Sequence, residues 1–93
     1  MSKIIPVIHC TNRTQIRFNL DICNRNNIEM VFLINHNSGE NSTEDLVEYF
    51  RMAKSEFPNM KIGLNFLQLN TSESIKKCNE IGNVDVIWSD YEY

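Results

Sequence analysis

The sequence predicts an α/β fold built around a parallel sheet. Four short, almost uninterrupted apolar runs alternate with three segments whose apolar residues recur at helical spacing. Successive runs start about 22 to 32 residues apart, which is the size of one right-handed strand-helix-strand crossover. We therefore expect a βαβαβαβ unit whose four strands run in the same direction.

The predicted strands comprise residues 4–8, 30–34, 62–67 and 84–88. The first is β-branched and nearly continuous in its apolar character, as expected of a strand buried on both faces. Each run leads into polar residues, and the loop at residues 37–41 that follows the second strand contains Gly39 and two asparagines.

Three predicted helices fill the intervals between the strands. Asn12 followed by Gln15 resembles a capping box, and the first helix stops at residues 26–27. We expect Ser42 or Thr43 to cap the second helix and Pro58 to end it, and Thr71 or Ser72 to cap the third, which Gly82 closes. The predicted core stripes are Ile16, Leu20 and Cys23; Leu46, Val47, Phe50, Ala53 and Phe57; and Ile75, Cys78 and Ile81.

The composition is that of one globular α/β unit spanning residues 1–93. The apolar fraction is 42% and the charged fraction 23%, close to globular averages. A net charge of −3 with dispersed Lys and Arg argues against nucleic acid as a partner. No run is long enough to span a bilayer and no signal peptide is evident, so we expect a cytoplasmic protein without a membrane partner.

Three cysteines, Cys10, Cys23 and Cys78, are spaced for neither a disulfide framework nor a zinc knuckle. We expect them to be free thiols.

Two closures of the sheet are compatible with the spacing. One is half of a (β/α)8 TIM barrel with every helix outside, and the alternative is a small open doubly wound sheet with helices on both faces. Three helices leave the faces of four strands partly uncovered. Three alternatives would account for the uncovered strand faces. The chain forms a homodimer, it pairs with another polypeptide that carries the complementary half-barrel, or its reading frame is truncated and has lost the second half.

Three segments, residues 5–9, 31–36 and 61–67, resemble the opening strands of the BtpA-like barrel proteins, which are aldolase-type TIM-barrel relatives. The most specific part is Gly63 and Asn65 in the third strand, followed by a helix and residues 84–90. The resemblance covers nearly the whole chain. It implies a barrel of poorly defined activity, related to phosphate-binding barrels and linked in some members to photosystem I biogenesis. The chain departs from the family in having no Pro-rich loop after His9 and no second half to hold phosphate.

Ligands of parallel α/β folds bind at the carboxyl ends of the strands, so the polar residues there are the candidate site. The predicted catalytic residues are His9, His36 and Asp90, where imidazole can act as a general base or join a carboxylate on a metal. Each histidine can equally bond a loop carbonyl, and Asp90 can cap a following helix. The predicted substrate-binding residues are Asn35, Asn65, Gln68 and Trp88.

Two further expectations concern the neighbours of these residues. Gly63 lies below Asn65 on one strand face, so a small residue and an amide can together make room for a ligand, although a buried structural amide is equally compatible. Cys10 follows His9 directly, and strand neighbours point to opposite faces, so we expect a packed thiol rather than a Cys-His pair.

The residues and the resemblance together favour a barrel-type enzyme, or its remnant, acting on a small phosphorylated or sugar-like metabolite. They specify neither the reaction nor a cofactor, and no metal site is assigned. The alternatives are a non-catalytic half-barrel that self-associates and a truncated inactive fragment. Aggregation or tight dimerisation would favour these alternatives, because open strand edges seek pairing.

Overall fold

The computed structural model describes residues 5–35, 42–66 and 69–87, and within them the predicted alternation of strands and helices is confirmed. In chain order the elements are β1 (Val7–Cys10), α1 (Arg13–Arg25), β2 (Met30–Asn35), α2 (Ser42–Glu56), β3 (Lys61–Asn65), α3 (Thr71–Ile81) and β4 (Val86–Ile87).

Helix α1 begins where the sequence predicted. The Asn12 side chain accepts a hydrogen bond from the Gln15 amide at 2.9 Å, which satisfies one of the orphan donors of the first turn. The Gln15 side chain turns back to the Thr11 amide at 3.0 Å rather than to Asn12. Ile16, Leu20 and Cys23 are buried as expected.

Helix α2 lies beside α1 and packs its apolar stripe against the sheet. Leu46, Val47, Phe50 and Ala53 are buried and Phe57 is half-buried against the same core, which confirms the predicted stripe. Arg17 of α1 reaches Glu56 of α2 at 2.8 Å.

Helix α3 departs from the prediction at two points. Its cap is Asn70, not Thr71 or Ser72: Asn70 and Glu73 form a reciprocal capping box. Ile75, predicted as core, is 46% exposed, because the buried side of α3 carries Ser74 and Cys78 instead. A shift of one residue turns a helix by about 100°, which moves Ile75 onto a flank.

The four strands form one parallel sheet in the order β1-β2-β3-β4. Each strand therefore pairs with its neighbour in sequence, and the order does not reverse within the described strands. A doubly wound sheet has a point where the strand order reverses and the helices change face.

One face of this sheet carries the core. Ile8, Leu33 and Leu64 share a row of the register and belong to one buried cluster, to which all three helices contribute, for example through Leu20, Phe50 and Cys78. Since right-handed crossovers between successive neighbours put every helix on the same side, this arrangement follows from the strand order. We call this the helical face.

The opposite face holds the alternate residues of each strand. We name it the uncovered face because the described helices all pack on the other side of the sheet. Its central row is Val7, Phe32, Gly63 and Val86, and none of the three side chains in that row belongs to the core cluster. Val7 and Val86 are each 38% exposed. The expectation that the first strand is buried on both faces is therefore wrong, because the helices cover only one face of it.

Within the described part of the chain, no helix has the length and apolar character needed to cross a membrane.

Candidate functional site

Two of the predicted site residues lie in one row of the uncovered face. The register pairs His9 with Ile34 and Ile34 with Asn65, near the carboxyl ends of β1, β2 and β3. His9 and Asn65 are thus two strand spacings apart, about 10 Å between their backbones. A small polar molecule can bridge such a gap, whereas a direct hydrogen bond between the two side chains cannot.

The side chain of His9 is exposed, and its backbone is held in place by the loop that follows. Gln15 donates from Nε2 to the His9 carbonyl at 3.1 Å while its Oε1 accepts from Thr11. This arrangement ties the start of α1 to the end of β1. The imidazole therefore stands on a fixed strand end, as the position of a general acid or base requires.

Asn65 is 1% exposed and belongs to the buried part of the row, as does Ile34. Of the three residues, His9 alone is open to solvent. A ligand that reaches the row thus meets the imidazole first.

The expected free space beside Gly63 is filled. The ring of Phe32 lies over this glycine, with Cδ1 2.6 Å from the place where a Cβ would be, and the Val86 carbonyl oxygen is 3.0 Å from it. Gly63 therefore makes room for an aromatic ring of the neighbouring strand, and the expectation that it makes room for a ligand is wrong at this position.

Phe32 is the residue of this face that sequence reasoning missed. It lies two residues before Ile34 and so shares its face, a relation that strand periodicity contains. The sequence does not reveal this position, because apolar and polar residues do not alternate along β2. The pairing of Phe32 with Gly63 in the structure shows where the ring packs.

Asn35 lies on the other side of the sheet. It pairs with Cys10 and is buried on the helical face, so the structure separates it from His9 and Asn65. The sequence grouped these residues by their position at strand ends, but a site also requires that they share a face.

Cys10 confirms the expectation of a packed thiol. It is buried on the face opposite to His9, and its Sγ donates to the Ile8 carbonyl at 3.6 Å. Burial raises the pKa of the Cys10 thiol to about 12, although a backbone hydrogen bond from Ile34 opposes the shift. The neutral thiol is a poor nucleophile, and His9, the histidine among the described residues, lies on the opposite face of the strand.

Four other predicted site residues, His36, Gln68, Trp88 and Asp90, lie outside the described residues. Among the residues that are described, no group of three His, Cys, Asp or Glu side chains is arranged to hold a metal ion.

Two surface depressions lie at the opposite end of the sheet. The larger has a volume of about 200 Å³ and is lined by Asn24, Asn27, Ile28, Glu29, Asn59 and Met60, at the amino ends of β2 and β3. The other shares Asn24, Asn59 and Met60 with it. Neither includes His9 or Asn65.

No family model matches this chain, and no curated protein or solved structure matches it either. Over the described residues the geometry defines a class, a parallel α/β unit whose strands follow chain order and whose helices pack on one face of the sheet.

Proposed function

We propose that this chain is half of a (β/α)8-type barrel and contributes His9 and Asn65 to a binding site for a small phosphorylated or sugar-like metabolite. The observation that carries the proposal is the unreversed strand order with all three helices contributing to one core. A barrel has its helices outside and its interior lined by the other strand face. In the proposal, the uncovered face is that interior.

The position of the site follows from the same architecture. Barrel sites lie at the carboxyl ends of the strands, and the row of His9, Ile34 and Asn65 lies at that end of the uncovered face. His9 is the proposed acid-base group, because it is exposed and fixed at a strand end. The similarity to BtpA-like barrel proteins is part of this proposal, and so is a cytoplasmic location, where buried free thiols such as those of this chain remain reduced.

A ligand titration followed at the histidine ring protons tests the site. The probes are inorganic phosphate, a sugar phosphate and the matching unphosphorylated sugar, and His9→Asn assigns the His9 signal. We expect a sugar phosphate to shift that signal and His9→Asn to weaken binding by about tenfold, the effect of losing one good hydrogen bond.

Asn59→Ala is the matched control, because Asn59 lines the depressions at the other end of the sheet. It should leave binding unchanged. Binding that survives His9→Asn but is lost in Asn59→Ala would place the ligand at the amino ends of the strands and overturn the proposal.

The second candidate is a half-barrel without catalysis. It is favoured by the burial of Ile34 and Asn65, which leaves His9 as the one exposed side chain among these three residues. A folded chain whose His9 signal responds to none of the probes would favour this candidate.

A further inference from the structure

The exposed large apolar side chains of the described residues are confined to the outermost elements of the sheet and helix layers. They are Ile5, Val7, Phe18, Ile22, Ile75 and Val86. They lie on β1 and the residues before it, on α1, on α3 and on β4. The central elements β2, α2 and β3 contribute none, so the apolar surface marks where the layers stop.

The exposed residues of the outer helices lie mainly on the flanks turned away from α2. On α1, Arg13 reaches Glu48 of α2, and Ile22 is nine residues later, half a turn around the helix. On α3, Lys77 reaches Glu44 of α2, and Ile75 is about 200° away from it. The helix layer thus ends on both sides in an apolar side chain.

The two open strand edges are complementary. Every parallel pairing in this sheet joins the same two kinds of edge. One is the edge that a strand turns to the next strand in the chain, and the other is the edge that a strand turns to the preceding one. The outer edge of β4 is therefore the kind of edge that β1 offers to β2, and the outer edge of β1 is the kind of edge that β4 offers to β3. A β4 edge of one copy can accept the β1 edge of another in the same parallel geometry.

We propose that a second copy of this chain covers the uncovered face and that the two copies close an eight-stranded parallel barrel, β4 of each beside β1 of the other. The inference rests on the half-barrel of the proposed function and goes beyond it by naming the other half. Two-fold symmetry satisfies both open edges of both copies at once, and eight strands is the number that closes a barrel filled by its own side chains.

The area that a stable dimer needs favours closure over simple stacking. A face of four strands about 4.8 Å apart and about 16 Å long covers about 300 Å² in projection. Even if the side chains double the accessible area of each face to about 600 Å², two stacked faces bury only about 1,200 Å² in total, which is the lower limit of stable interfaces. Closure adds two parallel strand pairings to the same apolar contact.

The oligomeric state of the full chain, measured by light scattering and sedimentation velocity over a range of concentrations, tests the proposal. We expect a discrete dimer. Val7→Asp and Val86→Asp place a carboxylate in the interface and should raise the dissociation constant by at least about tenfold. Val7→Thr, which keeps the β-branched shape, is the milder variant if the aspartate variants do not fold by circular dichroism.

Phe18→Asp is the matched control, since Phe18 is 66% exposed and about 200° around α1 from the buried Ile16. It points away from the sheet and should leave the dimer intact. A monomer at all concentrations, an open polymer, or a dimer broken by Phe18→Asp and not by Val7→Asp would each overturn the proposal. A monomer whose His9 signal still responds to a sugar phosphate would refute the dimer and leave the proposed site standing.

Discussion

The ring of Phe32 occupies the space that a side chain would take at Gly63. The two residues are register partners on the uncovered face, and the ring carbon Cδ1 is 2.6 Å from the ideal Cβ position. A glycine in the middle of a strand weakens it unless something packs closely against the backbone. Here a neighbouring aromatic ring does so.

Gly63→Ala should therefore destabilise the fold by about 1–3 kcal/mol, because the new methyl group meets Phe32 and the Val86 carbonyl oxygen. Urea unfolding at equilibrium measures the change. In a Phe32→Leu background, where the ring is absent, the same substitution should cost less. Equal costs in both backgrounds would show that Phe32 does not constrain position 63.

Cys10 and Cys78 should make stability fall at alkaline pH. Burial raises their pKa values from 9.0 to about 12 and about 11. In the folded chain both thiols stay protonated while the unfolded chain loses those protons above pH 9, so the native state binds more protons and stability decreases with pH. Their stabilisation is complete below pH 9 and is lost progressively up to about pH 12 for Cys10.

Thermal unfolding between pH 7.5 and 10.5 tests this, and Cys10→Ala should flatten the alkaline decline even though it lowers the overall stability. Native Cys10 should also resist alkylation at pH 8 and react once the chain is unfolded in urea. Rapid modification of the folded chain would contradict its burial.

Asp85 joins β3 to the residues before β4 and to α2. Its Oδ2 accepts from the Ile62 amide at 2.8 Å and from Lys54 Nζ at 3.4 Å. Asp85→Ala should lower the free energy of unfolding by about 1–3 kcal/mol, since a partly buried strand amide and a lysine lose their acceptor.

Glu48→Ala is the control for Asp85→Ala, because Glu48 pairs with Arg13 at 3.4 Å with both side chains well exposed. It should change stability by less than about 1 kcal/mol. Similar losses for the two variants would contradict the role assigned to Asp85.

The capping box of α3 gives a local prediction. Asn70 Oδ1 accepts from the Glu73 amide at 2.9 Å, and Glu73 accepts from the Asn70 amide at 3.2 Å. Asn70→Ala should cost about 1 kcal/mol. Asn79→Ala, at an exposed position inside the same helix, should be neutral or slightly stabilising, because alanine has the higher helix propensity. An equal loss at Asn79 would show that the cap adds nothing.

Helical periodicity and strand composition were sufficient to predict the order of elements in this fold. The stripe of α1 and the stripe of α2 are correct because each helix packs one side against the sheet and the spacing of its apolar residues records that side. The stripe of α3 was wrong at Ile75, because an apolar residue on a free flank has the same appearance in the sequence as one in the core. The sequence pattern alone does not distinguish an exposed apolar residue on a helix flank from a buried one in the core.

The candidate site was predictable only in part. Strand ends placed His9 and Asn65 correctly at one edge, but the run of β2 is apolar on both faces and so concealed that Asn35 belongs to the helical face. Register decides which strand residues meet, and register depends on tertiary pairing.

The central claim is that the uncovered face is the interior of a barrel closed by a second copy. Intermolecular nuclear Overhauser effects in a sample mixed from labelled and unlabelled chains test it most directly. We predict contacts between the Val86 methyl groups of one copy and β1 residues such as Val7 of the other. Val7 and Val86 methyl groups that show no intermolecular contact and remain fully accessible to a soluble paramagnetic probe would contradict the claim.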